Sequence, residues 1–216
     1  MLARCCFFFS SSINAKDSLS GFYIGGAVGY SMGDDGGGWC NVFNVCGNWK
    51  LDTYPQGASV GIFSGFNYLR NNLLIGLEID IDRRDQRDTT FETYLGATRT
   101  NFPFKTDVKK SRSLIAKFGY TFNDKLSAVY ALAGPAQAKI KRNTYSDLIH
   151  DNVWQTGWKV GVGIEHLFSK NLGLKANITH SDLGKRTFAY GNSAATYQVQ
   201  YHEDAIKFGI FYLFDL

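Results

Sequence analysis

The stretch LLIGLEIDID, residues 73–82, decides the fold, because its side chains alternate between two chemically different sets. One set is aliphatic and the other combines a leucine and a glycine with three carboxylates: Leu73, Ile75, Leu77, Ile79 and Ile81 against Leu74, Gly76, Glu78, Asp80 and Asp82. Alternation with a period of two residues places the sets on opposite faces of a β-strand. Such a strand needs an apolar environment on one side and a polar one on the other.

Seven further segments carry the same alternation, which gives eight predicted strands in all. The apolar positions of the eight fall within residues 22–30, 60–68, 73–81, 114–122, 126–132, 158–168, 172–178 and 206–216. Three connections are short, near Arg70, Asp124 and Lys170, whereas four are long and polar, over residues 31–57, 83–111, 139–156 and 183–200. Alternate connections of sequential antiparallel strands emerge at opposite ends, so the four long loops should share one end. Loops of this length usually carry function.

The composition agrees with a β-protein and excludes several other classes. Among the 216 residues are 23 Gly, 17 Phe, 12 Tyr and 4 Trp, while only 19% are charged. This balance excludes a disordered or collagen-like chain and fits one domain. The net charge of +4 comes from dispersed Lys and Arg, so nothing indicates nucleic-acid binding. No run reaches the roughly 18 apolar residues of a membrane helix, but a membrane strand needs only about 9–11.

The face opposite the apolar side chains distinguishes a soluble barrel from a membrane barrel. In a soluble lipocalin-like barrel that face would contact water, yet here it is built largely from glycine and alanine. These small residues suit the crowded interior of a narrow barrel, while the apolar face suits lipid. The sequence therefore predicts an all-β fold, an eight-stranded antiparallel up-and-down transmembrane β-barrel whose lumen is occluded by side chains.

The predicted interior face also carries four acidic and four basic residues. These are Glu78, Asp80, Asp82, Glu165, Lys117, Lys159, Lys175 and Lys207. Enclosed charges must be paired or hydrated, so the equal numbers favour a lumenal charge network over a catalytic acid cluster. Pro135 cannot donate to a strand ladder and is expected near the rim of its strand or at a bulge. His166 and His180 share the lipid-facing parity and are expected near the headgroups.

The amino terminus has the order of a secretory signal. Arg4 supplies a positive charge, residues 5–9 are apolar, and Ala15 precedes a polar pair. This order predicts a signal peptide over residues 1–15, which leaves residues 16–216 for the barrel.

Two cysteines remain after removal of that signal, Cys40 and Cys46, in a stretch rich in Gly and Asn. In an exported protein such a pair is expected to form a loop disulfide, with two free thiols as the alternative. A zinc site is disfavoured because the four histidines are dispersed along the chain.

With its strands placed, the chain resembles the small eight-stranded outer-membrane β-barrel proteins, the OmpA-like transmembrane domain family with its opacity-type surface antigens. The matching stretches are GFYIGG at 21–26, GFNY at 65–68, GWKVGVGIE at 157–165, LKAN at 174–177, SDLG at 181–184 and KFGIFYLF at 207–214. The resemblance implies an integral, monomeric protein of the Gram-negative outer membrane. Its expected partners are outer-membrane lipids and the barrel-assembly machinery.

The expected function is that of a structural outer-membrane protein with long surface loops, acting as a surface antigen or interaction protein. The alternative is an adhesive protein that binds haemin or a host molecule. The resemblance implies haemin because some members bind it at the cell surface, and the candidate iron ligands are Tyr145, His150, Tyr201 and His202. No metal site or catalytic residue is predicted, since no nucleophile elbow or Ser-His-Asp order is visible.

Overall fold

The computed structural model describes residues 18–40, 46–94, 97–144, 150–189 and 196–214, and the predicted signal peptide lies outside them. The described residues form nine antiparallel strands. These are Gly21–Cys40 (β1), Cys46–Thr53 (β2), Gln56–Arg70 (β3), Leu73–Tyr94 (β4), Ala97–Phe122 (β5), Ser127–Thr144 (β6), His150–Leu167 (β7), Leu172–Ala189 (β8) and Thr196–Leu213 (β9). Within these residues no helix is long and apolar enough to cross a membrane.

The sheet closes on itself because β1 pairs with both β3 and β9. The β1–β9 register runs from Tyr23↔Leu213 to Cys40↔Thr196. The eight long strands, β1 and β3 to β9, form the barrel, and the predicted eight-stranded antiparallel β-barrel is confirmed. In the part of the barrel near the short turns every strand is paired on both sides, as a lipid environment demands, whereas β7 and β8 pair only from Trp158↔Asp182 downward.

The ninth strand, β2, is an upward continuation of β3 that was not predicted. Tyr54 and Pro55 interrupt the two, and the Pro55 carbonyl accepts a hydrogen bond of 2.8 Å from the Gly33 amide. β2 pairs with the distal half of β1, which places Cys40 directly opposite Cys46. The side chains of both cysteines lie outside the described part of the structure, so their disulfide stays a prediction.

The expectation of long, irregular loops was wrong over most of the described residues. The strands continue through the segments assigned to loops, and β4 and β5 pair from Arg83↔Lys110 as far as Tyr94↔Ala97. Above the hydrocarbon, the outward face contacts water and becomes polar, so the apolar alternation fades although the backbone pairing continues. The sequence pattern therefore marks the membrane-spanning part of each strand and not its end.

An apolar band encircles the outer surface of the barrel near the short turns. In β4 it comprises five exposed side chains, Leu73, Ile75, Leu77, Ile79 and Ile81. Nine residues at about 3.3 Å each, tilted by about 45°, span roughly 20 Å, close to the apolar height of outer-membrane barrels. Aromatic side chains border this band at both edges, including Phe22, Tyr68 and Phe214 near the turns and Tyr30 and Trp158 at the other edge.

Two residues expected to fit poorly lie at the edges of the band. His166 is near the short-turn end, where its Nδ1 atom lies 2.9 Å from the Ser127 hydroxyl oxygen. His180 is exposed just beyond Ile178, the last apolar outward residue of β8. Both positions lie at the depth of the headgroups.

The position of Pro135 corrects the expectation of a strand rim or a bulge. Pro135 lies inside β6, where the β5–β6 pairing passes from Ser113↔Ala136 to Ala116↔Ala133 without a change of register. The two intervening positions are unpaired, because proline has no N–H to donate.

The band predicts a depth-dependent cost for charge on the outer surface. Leu77→Lys should lower the free energy of unfolding in lipid vesicles by about 2–4 kcal/mol, because Leu77 lies midway through the band. Urea titration followed by tryptophan fluorescence measures the change. Thr187→Lys, at an exposed position of β8 beyond the band, is the matched control and should change stability by less than about 1 kcal/mol. Equal losses in both variants would contradict the assignment of the band.

Candidate functional site

Apolar side chains seal the lumen at the end with the short turns. Tyr23, Phe63, Phe211 and Leu213 pack together there with exposures of 1–3%. Leu19 lies beneath them, fully buried, and its amide donates a 3.1 Å hydrogen bond to the Lys125 carbonyl. The segment preceding β1 thus closes this end of the barrel.

Above this seal lies a charge cluster centred on Glu78. The Lys175 ammonium donates to both Glu78 oxygens, at 2.6 and 2.7 Å, and the Tyr23 hydroxyl donates to Oε2 at 2.7 Å. Lys117 lies 3.6 Å from Glu78 and donates to Glu165 at 2.6 Å. Strands β4, β5, β7 and β8 are therefore joined across the lumen by charge-assisted hydrogen bonds.

A second cluster follows one layer higher. Lys207 donates to Asp80 at 2.6 Å and also bonds Asp82, which accepts from the Ser111 hydroxyl at 2.9 Å. Lys159 lies 3.8 Å from Asp80. The two clusters bring together all eight residues of the predicted lumenal network, each with an exposure of 2–7%.

Two further buried ion pairs were missed by the sequence reading. Arg84 bonds Glu203, and the Arg142 guanidinium donates two hydrogen bonds of 2.7 Å to the Asp35 carboxylate. Arg84, Asp35 and Arg142 lie in segments assigned to loops, and Glu203 lies between the fourth such segment and the last predicted strand. The spacing along the strands could have revealed them, because residues an even number of positions apart lie on the same face of a strand. Arg84 follows the inward Asp82 by two residues, and Asp35 follows the inward Gly29 by six.

Packing leaves little free space inside the described part of the barrel. An apolar layer of Val108, Ile140, Leu183 and Tyr201 separates the Arg84–Glu203 pair from the Arg142–Asp35 pair. Two lumenal cavities, one beside Lys207 and one beside Glu203, have volumes of about 10 Å³ each. That is close to the least space that holds one water molecule. Alternating apolar and ion-paired layers therefore obstruct the lumen.

The structure does not bring the candidate haemin ligands into one set. Tyr201 is fully buried in the lumen and its hydroxyl donates to Glu203 at 3.1 Å. His202 lies on the outer wall, where its ring stacks 6.0 Å from that of His180. The two neighbours thus face opposite sides of β9. Tyr145 and the side chain of His150 lie outside the described residues, so haemin binding stays a prediction.

The outer wall of β8, β9 and β1 carries histidines and carboxylates just above the apolar band. His180 lies 2.8 Å from Asp204, and His202 lies 3.7 Å from Asp182. Burial and the nearby Asp52 carboxylate raise the pKa of Asp34, which pairs with His202 across the β1–β9 register. Among the described residues, no three His, Cys, Asp or Glu side chains are grouped to hold a metal ion.

Comparison with known proteins agrees with this architecture. A family model described as an outer membrane protein beta-barrel domain matches residues 2–214. A 22 kDa outer membrane protein of Rhizobium leguminosarum bv. viciae is 24% identical over 198 residues, covering 92% of this chain and 79% of the relative.

Two solved structures share the fold at low sequence identity. The outer membrane protein OprG of Pseudomonas aeruginosa has a TM-score of 0.57 and 11% identity, with 94% of this chain and 99% of that chain covered. The outer membrane protease OmpT of Escherichia coli has a TM-score of 0.51 and 8% identity, with coverages of 90% and 97%. At these identities the likeness concerns the fold alone.

The cluster around Glu78 predicts a strong penalty for removing one member of a buried pair. Glu78→Gln should lower the free energy of unfolding by about 3–5 kcal/mol, because it leaves the Lys175 ammonium buried without its closest carboxylate. Adding Lys175→Met to that variant should recover a large part of the loss, as a double-mutant cycle in urea would measure. Asp85→Asn, which breaks an exposed pair with Arg87, should cost at most about 1 kcal/mol. Additive losses for Glu78 and Lys175 would show that the two side chains are not coupled.

Proposed function

Because the chain belongs to the outer membrane protein beta-barrel domain family, we propose that it is an occluded structural barrel whose extracellular wall acts as a surface antigen or interaction surface. Family membership makes it an integral protein of the Gram-negative outer membrane. The single observation that carries the proposal is the contrast between a lumen filled by paired charges and a wall that rises far above the apolar band.

The obstructed lumen supports a structural role over a conducting one. Ion pairs cross the lumen at successive levels, from Glu78–Lys175 through Asp80–Lys207 to Asp35–Arg142. Eight strands leave an interior just wide enough for side chains, so a passing solute would have to displace these paired groups. Each displacement would expose a desolvated charge without its partner.

Planar bilayer recordings test the occlusion. The refolded full chain should insert without stable, large conductance steps. The double variant Glu78→Ala/Lys175→Ala removes two long side chains from the charge cluster above the apolar seal and should raise the frequency of small openings. Large, stable steps from the unmodified chain would overturn the occluded barrel.

The wall above the band supports an interaction surface. In β4 and β5 the paired strands continue beyond Ile81 as far as Tyr94↔Ala97, with exposed side chains that include Arg87, Thr89 and Phe91. A paired wall holds such side chains in fixed positions, which lowers the entropy lost when a partner binds. Exposed aromatic and arginine side chains are frequent at protein interfaces.

Labelling of intact cells tests the orientation of this wall. In a Cys40→Ser/Cys46→Ser background, Thr89→Cys should react with a membrane-impermeant maleimide, because Thr89 lies above the apolar band. Lys125→Cys, in a short turn at the other end, should react only after the outer membrane is permeabilised. The reverse pattern, or labelling of both without permeabilisation, would contradict a surface role for this end.

We also infer that the protein is not an enzyme. His202, Glu203 and Asp204 are residue types that serve in acid–base catalysis, but the wall divides them, since Glu203 is buried in the lumen while His202 and Asp204 face outward. The likeness to the protease OmpT concerns the fold alone and gives no support for proteolysis.

A further inference from the structure

Three basic side chains lie in a row on the outer wall, immediately above the apolar band. Arg83 of β4 pairs in register with Lys110 of β5, which pairs in turn with Lys139 of β6. Arg83 and Lys110 are exposed and Lys139 is half-buried. Like charges at directly opposed positions of neighbouring strands destabilise the pairing. A row of three such positions is therefore unfavourable unless an anion lies over it.

The described part of the chain does not supply that anion. The nearest outward carboxylate, Asp85, is shared by Arg87 at 2.7 Å and Lys109 at 3.8 Å. Among the described residues, no ion pair reaches Arg83, Lys110 or Lys139. The row thus remains available for a negatively charged group from outside the chain.

A fourth cation, Arg112, lies one position lower and has neutral partners. Its Nε atom donates to the Gln137 side-chain oxygen at 2.7 Å, and its guanidinium lies 4.6 Å from the centre of the Trp154 ring. These contacts hold the guanidinium flat against the wall and leave its charge uncompensated. Tryptophan at this depth is typical of the boundary between hydrocarbon and headgroups.

The row lies directly on hydrocarbon-facing residues. Arg83 pairs in register with Val60, and Arg112 pairs with Ile81, both exposed residues of the apolar band. Long basic side chains at such a boundary keep their stems in the apolar layer and extend their charges into the headgroup layer. The cations therefore lie at the depth of lipid phosphates.

A groove beside the row is apolar below and basic above. It has a volume of about 1160 Å³ and is floored by small residues, Gly29, Ala58 and Gly61. Its apolar lining comprises Val28, Val60, Ile62 and Ile81, and its charged lining is mainly basic, with Arg83, Arg84, Arg87, Lys109 and Lys110 beside Asp82 and Asp85. This division matches a molecule with an acyl chain below and an anionic head above.

The outward side chains immediately above the apolar band are basic on β4, β5 and β6. At the same level, β8, β9 and β1 present Asp182, Asp204 and Asp34 with two histidines. A general attraction to an anionic membrane would not require this asymmetry. The contrast indicates that anionic lipid contacts this side of the barrel in preference to the side formed by β8, β9 and β1.

We propose that the outward surface formed by Arg83, Lys110, Arg112 and Lys139, named here the basic row, binds the phosphate groups of an acylated, phosphorylated lipid of the outer leaflet. The guanidinium and ammonium groups donate charge-assisted hydrogen bonds to the phosphate oxygens. An acyl chain of the same lipid lies in the adjoining groove, which distinguishes the lipid from a free phosphate ion. The bound phosphate removes the repulsion between the directly paired cations.

The test compares three probes with the full chain refolded in maltoside micelles. The probes are diphosphoryl lipid A, the same lipid after dephosphorylation, and inorganic phosphate, with affinity measured by microscale thermophoresis. Diphosphoryl lipid A should bind at least about tenfold more tightly than its dephosphorylated form. Arg83→Gln/Lys110→Gln/Lys139→Gln should remove most of that difference. Raising the salt concentration should weaken only the phosphorylated lipid.

A matched variant controls for the loss of net charge. Lys125→Gln/Lys170→Gln/Lys185→Gln removes three exposed cations elsewhere and should bind all probes as the unmodified chain does. Heat-modifiable migration in gels verifies folding of each variant, and Lys110→Gln alone replaces the triple variant if that one does not fold. The proposal would be overturned if the unmodified chain bound both lipid forms equally, or if the Arg83→Gln/Lys110→Gln/Lys139→Gln variant kept full affinity for diphosphoryl lipid A. An equal loss of affinity in the control variant would also overturn it. Competition by inorganic phosphate at equal concentration would overturn the assignment to a lipid.

Discussion

The carboxylates of one strand, β4, hold the barrel interior together. Glu78, Asp80 and Asp82 receive lysines from β5, β7, β8 and β9, so this single strand is bonded across the lumen to half of the wall. A slip of one residue in β4 would turn all three acids toward lipid and leave their lysines buried without partners. Such buried ion pairs contribute little net stability compared with apolar packing, but a buried charge without its partner is strongly destabilising. The charge pairing therefore also excludes slips of two residues, which the uniformly apolar band on the outer surface does not distinguish because they keep every side chain on its face.

The narrow lumen explains why ion-paired and apolar layers alternate. Long lysine and arginine side chains extend across the barrel axis, and aromatic or aliphatic residues fill the spaces between them, as Tyr23 and Phe63 do beneath Glu78. Small residues provide the necessary room at the wall. A Cβ added at Gly163 would lie 2.7 Å from carbons of the Tyr130 ring, which shows how closely the ring approaches the backbone there. The glycines of the interior face thus accommodate the aromatic side chains that fill the lumen.

The membrane-spanning part of this protein could be predicted from its sequence, whereas the part above the membrane could not. In residues 73–82 the outward positions are aliphatic and the inward positions after Leu74 are glycine or carboxylates, and this contrast revealed both the strand and its buried acids. Beyond Ile81 the outward side chains are Arg83, Asp85 and Arg87, so both faces are polar and the contrast disappears. Arg84 and Glu203 were missed for that reason, although their parity follows from Asp82 and Ala205. The position of Pro135 was not predicted because the alternation of this strand ends near Leu132, whereas β6 continues to Thr144. A proline just beyond the alternation therefore lies inside the strand and not at its end.

The interruption at Tyr54 and Pro55 has an evolutionary consequence. It separates β2 from β3, so the second arm of the distal hairpin is a strand of its own, whereas the first arm, β1, runs unbroken from the barrel and pairs with β9 as far as Cys40. Residues inserted in pairs on both arms of such a hairpin keep every side chain on its original face and leave the pairing below the break unchanged. The hairpin can therefore lengthen or shorten by pairs of residues without a change in the register of the membrane-spanning strands below it. Changes in length would be permitted there, while the charge pairs inside the membrane barrel keep the register of its strands fixed.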